Sequence, residues 1–208
     1  HTTFAAASLR STYATELDIR AYAVAAPASV LPQHWTPYIQ TPGSHLVYHA
    51  LIAYAWSSYY GHSGEPIWAE AIEDSIEDIM ENHCIAALSN SSLEEELGTT
   101  AEDIFSSSYL ADYSSGTFER YDFLSQGFEA NQVKAFEQYV PIRFYQGQLD
   151  NVVPLTDSQE LVNLLEDAGM TIDLVLEPSG HHTNVAFSFL GVHQLATPEA
   201  IEWLKSNL

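Results

Sequence analysis

The sequence predicts an α/β protein: a parallel sheet flanked by helices, with a mostly helical insertion between two sheet-forming portions of the chain. Two observations predict this class. A strand, a helix and a second strand follow one another over 142–176, in the manner of a parallel βαβ unit. A helix and an apolar strand occupy residues 2–25, whereas the chain between about 29 and 138 carries helical patterns.

The amino-terminal portion contains an Ala-rich helical segment over 2–13 and an apolar strand over about 19–25. A helix that leads into a buried parallel strand normally has a strand before it, so this βαβ unit lacks its first strand. Without that neighbour the strand would be an open apolar edge, which soluble proteins avoid. We therefore expect the chain to be the C-terminal part of a larger fold that another polypeptide segment completes.

The middle of the chain is predicted to be mostly helical. Leu46 to Tyr60 is a long run rich in Ala, Leu and Tyr, and Ser44 is a suitable N-cap for it. Pro66 is predicted to begin a second helix, because apolar residues then recur on one face opposite acidic ones. Thr100, followed by two acidic residues, predicts the start of another. We expect most of the aromatic residues here to form a core of their own.

The last portion predicts a strand at 142–147, a helix at 156–168 and a strand at 171–176. The first strand is β-branched and aromatic, and the second is rich in Ile, Leu and Val, as strands buried on both faces usually are. Two strands joined by a single helix should be parallel and adjacent. They therefore end at the same edge of the sheet.

An acid and two imidazoles follow these strands. Asp150 comes after the first, beyond the sharp turn that Gly147 is predicted to permit, and His181 and His182 come after the second. Open α/β sheets keep their chemistry at the carboxyl ends of their strands. The sequence therefore predicts an acid–imidazole site at this edge.

Three segments resemble those of a known superfamily. The run from Val140 to Pro154, with Asp150 at its turn, resembles the acid-bearing turn of α/β-hydrolases, and Pro178-Ser179-Gly180-His181-His182-Thr183 resembles their histidine loop. The first 27 residues are similar to the segment that follows the nucleophile elbow in secretory-lipase-like carboxylesterases. The resemblance implies the C-terminal part of an α/β-hydrolase fold, with core portions at 1–28 and 139–208 and a helical cap or lid at 29–138.

The resemblance also implies a function. In this family Ser, then Asp or Glu, then His form a triad along the chain. The chain would belong to a serine carboxylesterase or lipase that hydrolyses small-molecule esters or acylglycerols through an acyl-enzyme. Its serine and oxyanion hole would lie on an N-terminal fragment of the same hydrolase, absent from this chain and acting as its partner. A secreted or extracellular location is implied as well.

Within that site the family pattern favours His182 over His181, because the triad imidazole directly precedes a small polar residue, here Thr183. Asp150 would orient that imidazole, although an Asp at such a position can also cap its own turn. A different class of function also remains open. The chain could be a non-catalytic remnant of the hydrolase fold that acts as a binding module.

Two further motifs are similar to known functional sites. Gly61-His62-Ser63-Gly64-Glu65 is similar to an elbow, but the motif needs a Gly where Glu65 stands and a strand before it. A Gly-rich helix stop is favoured there. His45 and His49 have a zinc-compatible spacing, yet no third ligand accompanies them. We therefore predict no metal and no cofactor.

Charge is the strongest compositional signal. The 208 residues contain 28 Asp plus Glu against 6 Lys plus Arg, a formal net charge of −22. Such a surface repels phosphate backbones, which excludes nucleic acid as a partner. The same charge is typical of a halotolerant protein as well as of an ordinary acidic one.

The sequence also lacks a long apolar run and a second cysteine, and both features limit the possible classes of protein. No apolar run reaches the ~20 residues that a membrane helix requires, so no transmembrane segment is predicted. The lone Cys84 permits no disulfide within the chain and is predicted to be a buried apolar residue.

Overall fold

The computed structural model describes residues 1–13, 15–43, 45–83, 91–182 and 197–208. The chain divides into two compact units, which are described separately. The sheet unit comprises His1–Ser29 and Val133–Leu208, and the helical unit comprises Val30–Gln132. No helix of the described ranges is long and apolar enough to cross a membrane.

The elements in chain order are α1 (Thr2–Leu9), β1 (Tyr22–Ala25), α2 (Pro32–Trp35), a 3₁₀ turn (Tyr38–Gln40), α3 (Leu46–Tyr60), α4 (Ile76–Asn82), α5 (Ser91–Leu97), α6 (Ala101–Ile104), α7 (Ser107–Ser115), α8 (Asp122–Asn131), β2 (Ile142–Gly147), α9 (Leu155–Asp167), β3 (Ile172–Glu177) and α10 (Thr197–Ser206).

The sheet unit is built on three parallel strands in the order β1–β2–β3. Tyr22 pairs with Ile142, and Ile142 pairs with Ile172, so the amino ends of the strands are in register. β1 is shorter than the predicted strand over 19–25 because its partner begins only at Ile142, and Tyr22 N–H makes the first bond, to Pro141 O at 3.0 Å. The predicted parallel, adjacent pairing of the two later strands is confirmed.

Successive residues of a strand point to opposite faces, and the sheet buries both. Val24 and Phe144 belong to an apolar cluster that also contains Phe4 of α1 and Leu161 of α9. Tyr145, the neighbour of Phe144 in sequence, packs in a second cluster with Ala200 of α10 and with side chains of β1 and β3. Helices therefore flank both faces, as an α/β protein requires.

The helical unit has an aromatic core. Trp68, Phe105 and Tyr109 stack in series, with ring centroids 5.8 and 4.8 Å apart. Helices α3 and α8 meet where the Trp56 ring lies over Gly127, so closely that a Cβ at Gly127 would collide with the ring. The glycine is therefore a packing residue, because it lets the two helices approach.

Several predictions for this unit can be compared with its structure. The helix over Leu46 to Tyr60 is confirmed, and Thr100 forms a capping box with Asp103 at the start of α6. The helix predicted to begin at Pro66 is wrong, because the next helix after α3 begins at Ile76. Instead Trp68 forms an antiparallel bridge with Phe105, a long-range pairing that holds its backbone extended. Ser44 and Cys84 lie outside the described residues.

Candidate active site

Asp150 and His182 meet at the carboxyl edge of the sheet, beyond the ends of β2 and β3. Oδ2 of Asp150 lies 2.9 Å from Nδ1 of His182. The Asp150 side chain is 0% exposed and that of His182 is 15% exposed. A carboxylate removed from water in this way needs hydrogen-bond donors, and the imidazole supplies one of them.

The close approach of the two loops depends on Gly147. A Cβ at this position would collide with the carbonyl group of Gly180, in the loop that carries His182. The same carbonyl accepts a hydrogen bond from Leu149 N–H at 2.9 Å. The glycine was predicted to permit a sharp turn. Its observed role is to let the histidine loop pack directly against the acid turn.

Asp150 also caps its own turn. Its Oδ1 accepts hydrogen bonds from the backbone N–H groups of Val152, at 2.9 Å, and Val153, at 2.8 Å. The sequence left open whether this Asp orients an imidazole or caps a turn. The structure assigns one oxygen to each role, so the turn fixes the carboxylate while Oδ2 faces His182.

The two neighbouring histidines have different surroundings. Nδ1 of His181 lies 2.9 Å from the backbone oxygen of Leu149, and this side chain is exposed. His182 turns inward to the carboxylate. The structure therefore brings Asp150 together with His182 and places His181 against the backbone.

Gln146 and Ser158 border the site, and sequence reasoning gave them no role. Both are buried polar residues of the sheet unit. Nε2 of Gln146 lies 3.4 Å from Oδ2 of Asp150, and Ser158 Oγ donates to Oε1 of Gln146 at 2.7 Å. The available signal was an amide next to the end of a strand that is mostly apolar and aromatic, shortly before the acid turn.

Ser63, the alternative nucleophile, lies in the helical unit and is exposed. Helix α3 precedes it, where an elbow would need a strand. His62 turns its Nε2 to the backbone oxygen of Glu65, 2.7 Å away, and Glu65 pairs with Arg120. The segment is a loop with one internal hydrogen bond and one ion pair to Arg120.

The two spaced histidines also lie in the helical unit. Nδ1 of His49 lies 3.0 Å from the Tyr113 hydroxyl, and Nε2 of His45 lies 2.9 Å from the backbone oxygen of Tyr38. Burial lowers the pKa of His49 to about 3, and the neighbouring His45 acts in the same direction. Within the described residues no group of three or more His, Cys, Asp or Glu side chains could hold a metal ion.

Comparison with solved structures identifies the fold. A point mutant of the rice cell wall degrading esterase LipA from Xanthomonas oryzae is similar over 100% of this chain and 55% of its own, with 14% identity and a TM-score of 0.73. A putative hydrolase from Legionella pneumophila is similar over 99% and 53%, with 15% identity and a TM-score of 0.70. Candida antarctica lipase A in its closed state is similar over 98% and 47%, with 16% identity and a TM-score of 0.52.

The described residues therefore form part of an α/β-hydrolase fold, a small parallel sheet flanked by helices with a mostly helical insertion. The chain spans about half the length of each of these proteins. No protein family matches the sequence, and no curated protein is similar to it at a significant level. At these identities the likeness establishes the fold, and the chemistry has to be argued from the site.

Proposed function

We propose that this chain supplies the acid and the base of a serine carboxylesterase or lipase. The observation that carries the proposal is the 2.9 Å contact between the buried Asp150 carboxylate and Nδ1 of His182. The esterase and lipase folds of the similar structures support the same reaction class. The substrates would be small-molecule carboxylic esters, acylglycerols among them.

In this proposal the serine belongs to an N-terminal segment outside these 208 residues, which also supplies the oxyanion hole. The serine oxygen would attack the ester carbonyl carbon while Nε2 of His182 takes the hydroxyl proton. The carbon–oxygen bond to the alcohol then breaks, and the alcohol leaves with that proton. Water would hydrolyse the acyl-enzyme through the same base. Asp150 holds the proton on Nδ1 throughout and stabilises the imidazolium that forms.

The helical insertion over 29–138 would act as the cap or lid of this hydrolase. Long insertions into a hydrolase core commonly wall the substrate site and control access to it. The resemblance to secretory-lipase-like enzymes supports a secreted or extracellular location for the protein.

Fluorophosphonate labelling followed by intact mass spectrometry tests the proposal, because this reagent adds covalently to an activated serine. We expect the label on a segment other than residues 1–208, and we expect His182→Ala to abolish both labelling and ester turnover. His181→Ala is the matched control and should retain both.

Three results would contradict this assignment. Label on Ser63 would place the nucleophile within the chain. An unlabelled protein would favour a hydrolase-fold binding module. Full turnover in the His182→Ala variant would exclude His182 as the base.

A further inference from the structure

Gln146 is a fully buried amide in β2, one residue before the strand ends. Its Nε2 donates to the backbone oxygen of Val153 at 2.9 Å and lies 3.2 Å from that of Gly147. The third neighbour of Nε2 is Oδ2 of Asp150, at 3.4 Å. At the other end, Oε1 accepts a hydrogen bond from Ser158 Oγ at 2.7 Å. Both ends of the amide are therefore satisfied, as burial demands.

These surroundings allow one orientation of the amide. The groups around Nε2 are two carbonyl oxygens and a carboxylate oxygen, all acceptors, so a flipped amide would set Oε1 against them. Ser158 is a buried residue of α9 and donates to the opposite end. Gln146 is thus fixed between the helix and the acid turn.

The bond to Val153 connects this amide to the carboxylate. Val153 accepts from Gln146 through its carbonyl and donates to Oδ1 of Asp150 through its N–H. The direct contact from Gln146 to Oδ2 is long, at 3.4 Å, so the stronger route runs through the turn. Gln146 therefore holds the turn in the shape that leaves Oδ2 directed at His182.

We propose that Gln146, fixed by Ser158, is a positioning residue for the Asp150–His182 pair. It acts through the carboxylate and its turn, to which its hydrogen bonds lead. The proposal rests on the proposed function only in treating the pair as catalytic. The arrangement keeps the imidazole proton on Nδ1, the tautomer that leaves Nε2 as the base.

The test is the tautomer of His182, measured by long-range ¹H–¹⁵N correlation at a pH where the ring is neutral. The protein is used with any segment that accompanies these residues, and His182→Gln assigns the signal. We expect wild type to hold the Nδ1–H form. Gln146→Met, which keeps the side-chain length, should lower the Nδ1–H to Nε2–H ratio by at least about fivefold, the effect of one hydrogen bond. Ser158→Ala should lower the ratio less.

Leu161→Ala is the matched control, because it destabilises the same helix from a fully buried apolar position whose side chain has no polar atom to bond to the amide. Its tautomer ratio should equal that of wild type. An unchanged ratio in folded Gln146→Met overturns the proposal. Should that variant fail to fold, an unchanged ratio in Ser158→Ala overturns it instead.

Ester turnover separates this inference from the proposed function. A shifted tautomer in a protein that neither turns over esters nor reacts with fluorophosphonate supports the positioning role and removes the esterase assignment. Normal turnover in Gln146→Met with an unshifted tautomer removes the positioning role and leaves the esterase assignment in place.

Discussion

Each of the two units places a histidine next to a polar side chain, but these side chains differ in chemistry. In the sheet unit His182 faces the carboxylate of Asp150 and keeps 15% of its side chain exposed. In the helical unit His49 faces the hydroxyl of Tyr113, is buried, and packs edge-on against Trp35. A carboxylate stabilises an imidazolium, whereas a phenol in an apolar core offers it little compensation. In the proposed function the first ring is the base, whereas the second ring is part of the core of the helical unit.

The largest expected effect is that of breaking the Asp150–His182 pair of the sheet unit. In the protein with its nucleophile present, Asp150→Asn should lower the turnover number by about 10⁴-fold, because an amide does not hold the base in the required tautomer. Initial rates of ester hydrolysis at saturating substrate measure the effect. Asp167→Asn, at the exposed end of α9, removes the same charge away from the site and should change turnover little. A loss below tenfold in Asp150→Asn would show that the carboxylate does not act on the base.

The next largest effect is the contribution of His49, in the helical unit, to the dependence of folding stability on pH. Burial lowers the pKa of His49 from 6.5 to about 3, so between these values the unfolded chain binds a proton that the folded chain does not. Stability contributed by this group is therefore complete above pH 6.5 and is lost as the pH falls towards 3. The loss between neutral pH and pH 4 should be on the order of 3 kcal/mol, at about 1.4 kcal/mol for each pH unit below 6.5.

The difference in unfolding free energy between wild type and His49→Gln, measured with urea at several pH values, gives that contribution. His49→Gln does not titrate and can still bond to the Tyr113 hydroxyl, so its stability should fall less steeply with acid than that of wild type. If the unfolding free energies of wild type and His49→Gln fall in parallel between pH 7 and pH 4, His49 is not buried in its neutral form.

The two units also differ in what surrounds a buried glycine. A Cβ at Gly147 meets the backbone carbonyl of Gly180, whereas one at Gly127 meets the Trp56 side chain. A backbone group in a paired loop cannot move without displacing His182, so Gly147→Ala should cost about 3 kcal/mol and Gly127→Ala about 1 to 2 kcal/mol. Thermal or urea unfolding measures both. A smaller loss for Gly147→Ala than for Gly127→Ala would contradict the rigid contact between the two loops.

The sequence predicted the elements whose signals are local or periodic. The parallel pairing of β2 with β3 could be predicted from a strand–helix–strand order, and it placed Asp150 and His182 at one edge. The extended bridge between Trp68 and Phe105 could not, because apolar spacing near Trp68 fits a helix equally well and the partner lies far along the chain. The support that Gln146 gives to the acid turn was also missed, since one amide in a strand has no periodic signature.

The smallest expected effect is the dependence of stability on salt concentration, which should differ between the two units because their net charges differ. Of the 28 acidic and 6 basic residues, 16 acidic residues and 1 basic residue lie in Val30–Gln132, so this unit carries −15 of the net −22. Self-repulsion among exposed charges is screened within about 10 Å at 0.1 M salt and within about 3 Å at 1 M. We therefore expect NaCl to stabilise the helical unit more than the sheet unit between 0.05 and 1 M, by about 1 kcal/mol.

Hydrogen exchange resolved by segment checks this prediction, since protection should rise with salt more in α3 and α8 than in β2 and β3. A matched variant replaces five exposed acids around α4 with their amides, at Glu70, Glu73, Asp74, Glu77 and Asp78. It should reduce the response of the helical unit by roughly half, because the net charge of the unit falls from −15 to −10 and repulsion grows with the square of the charge. An equal gain in protection in the two units would mean that salt acts by strengthening apolar burial, which both units have. That result would contradict the hypothesis of a halotolerant protein.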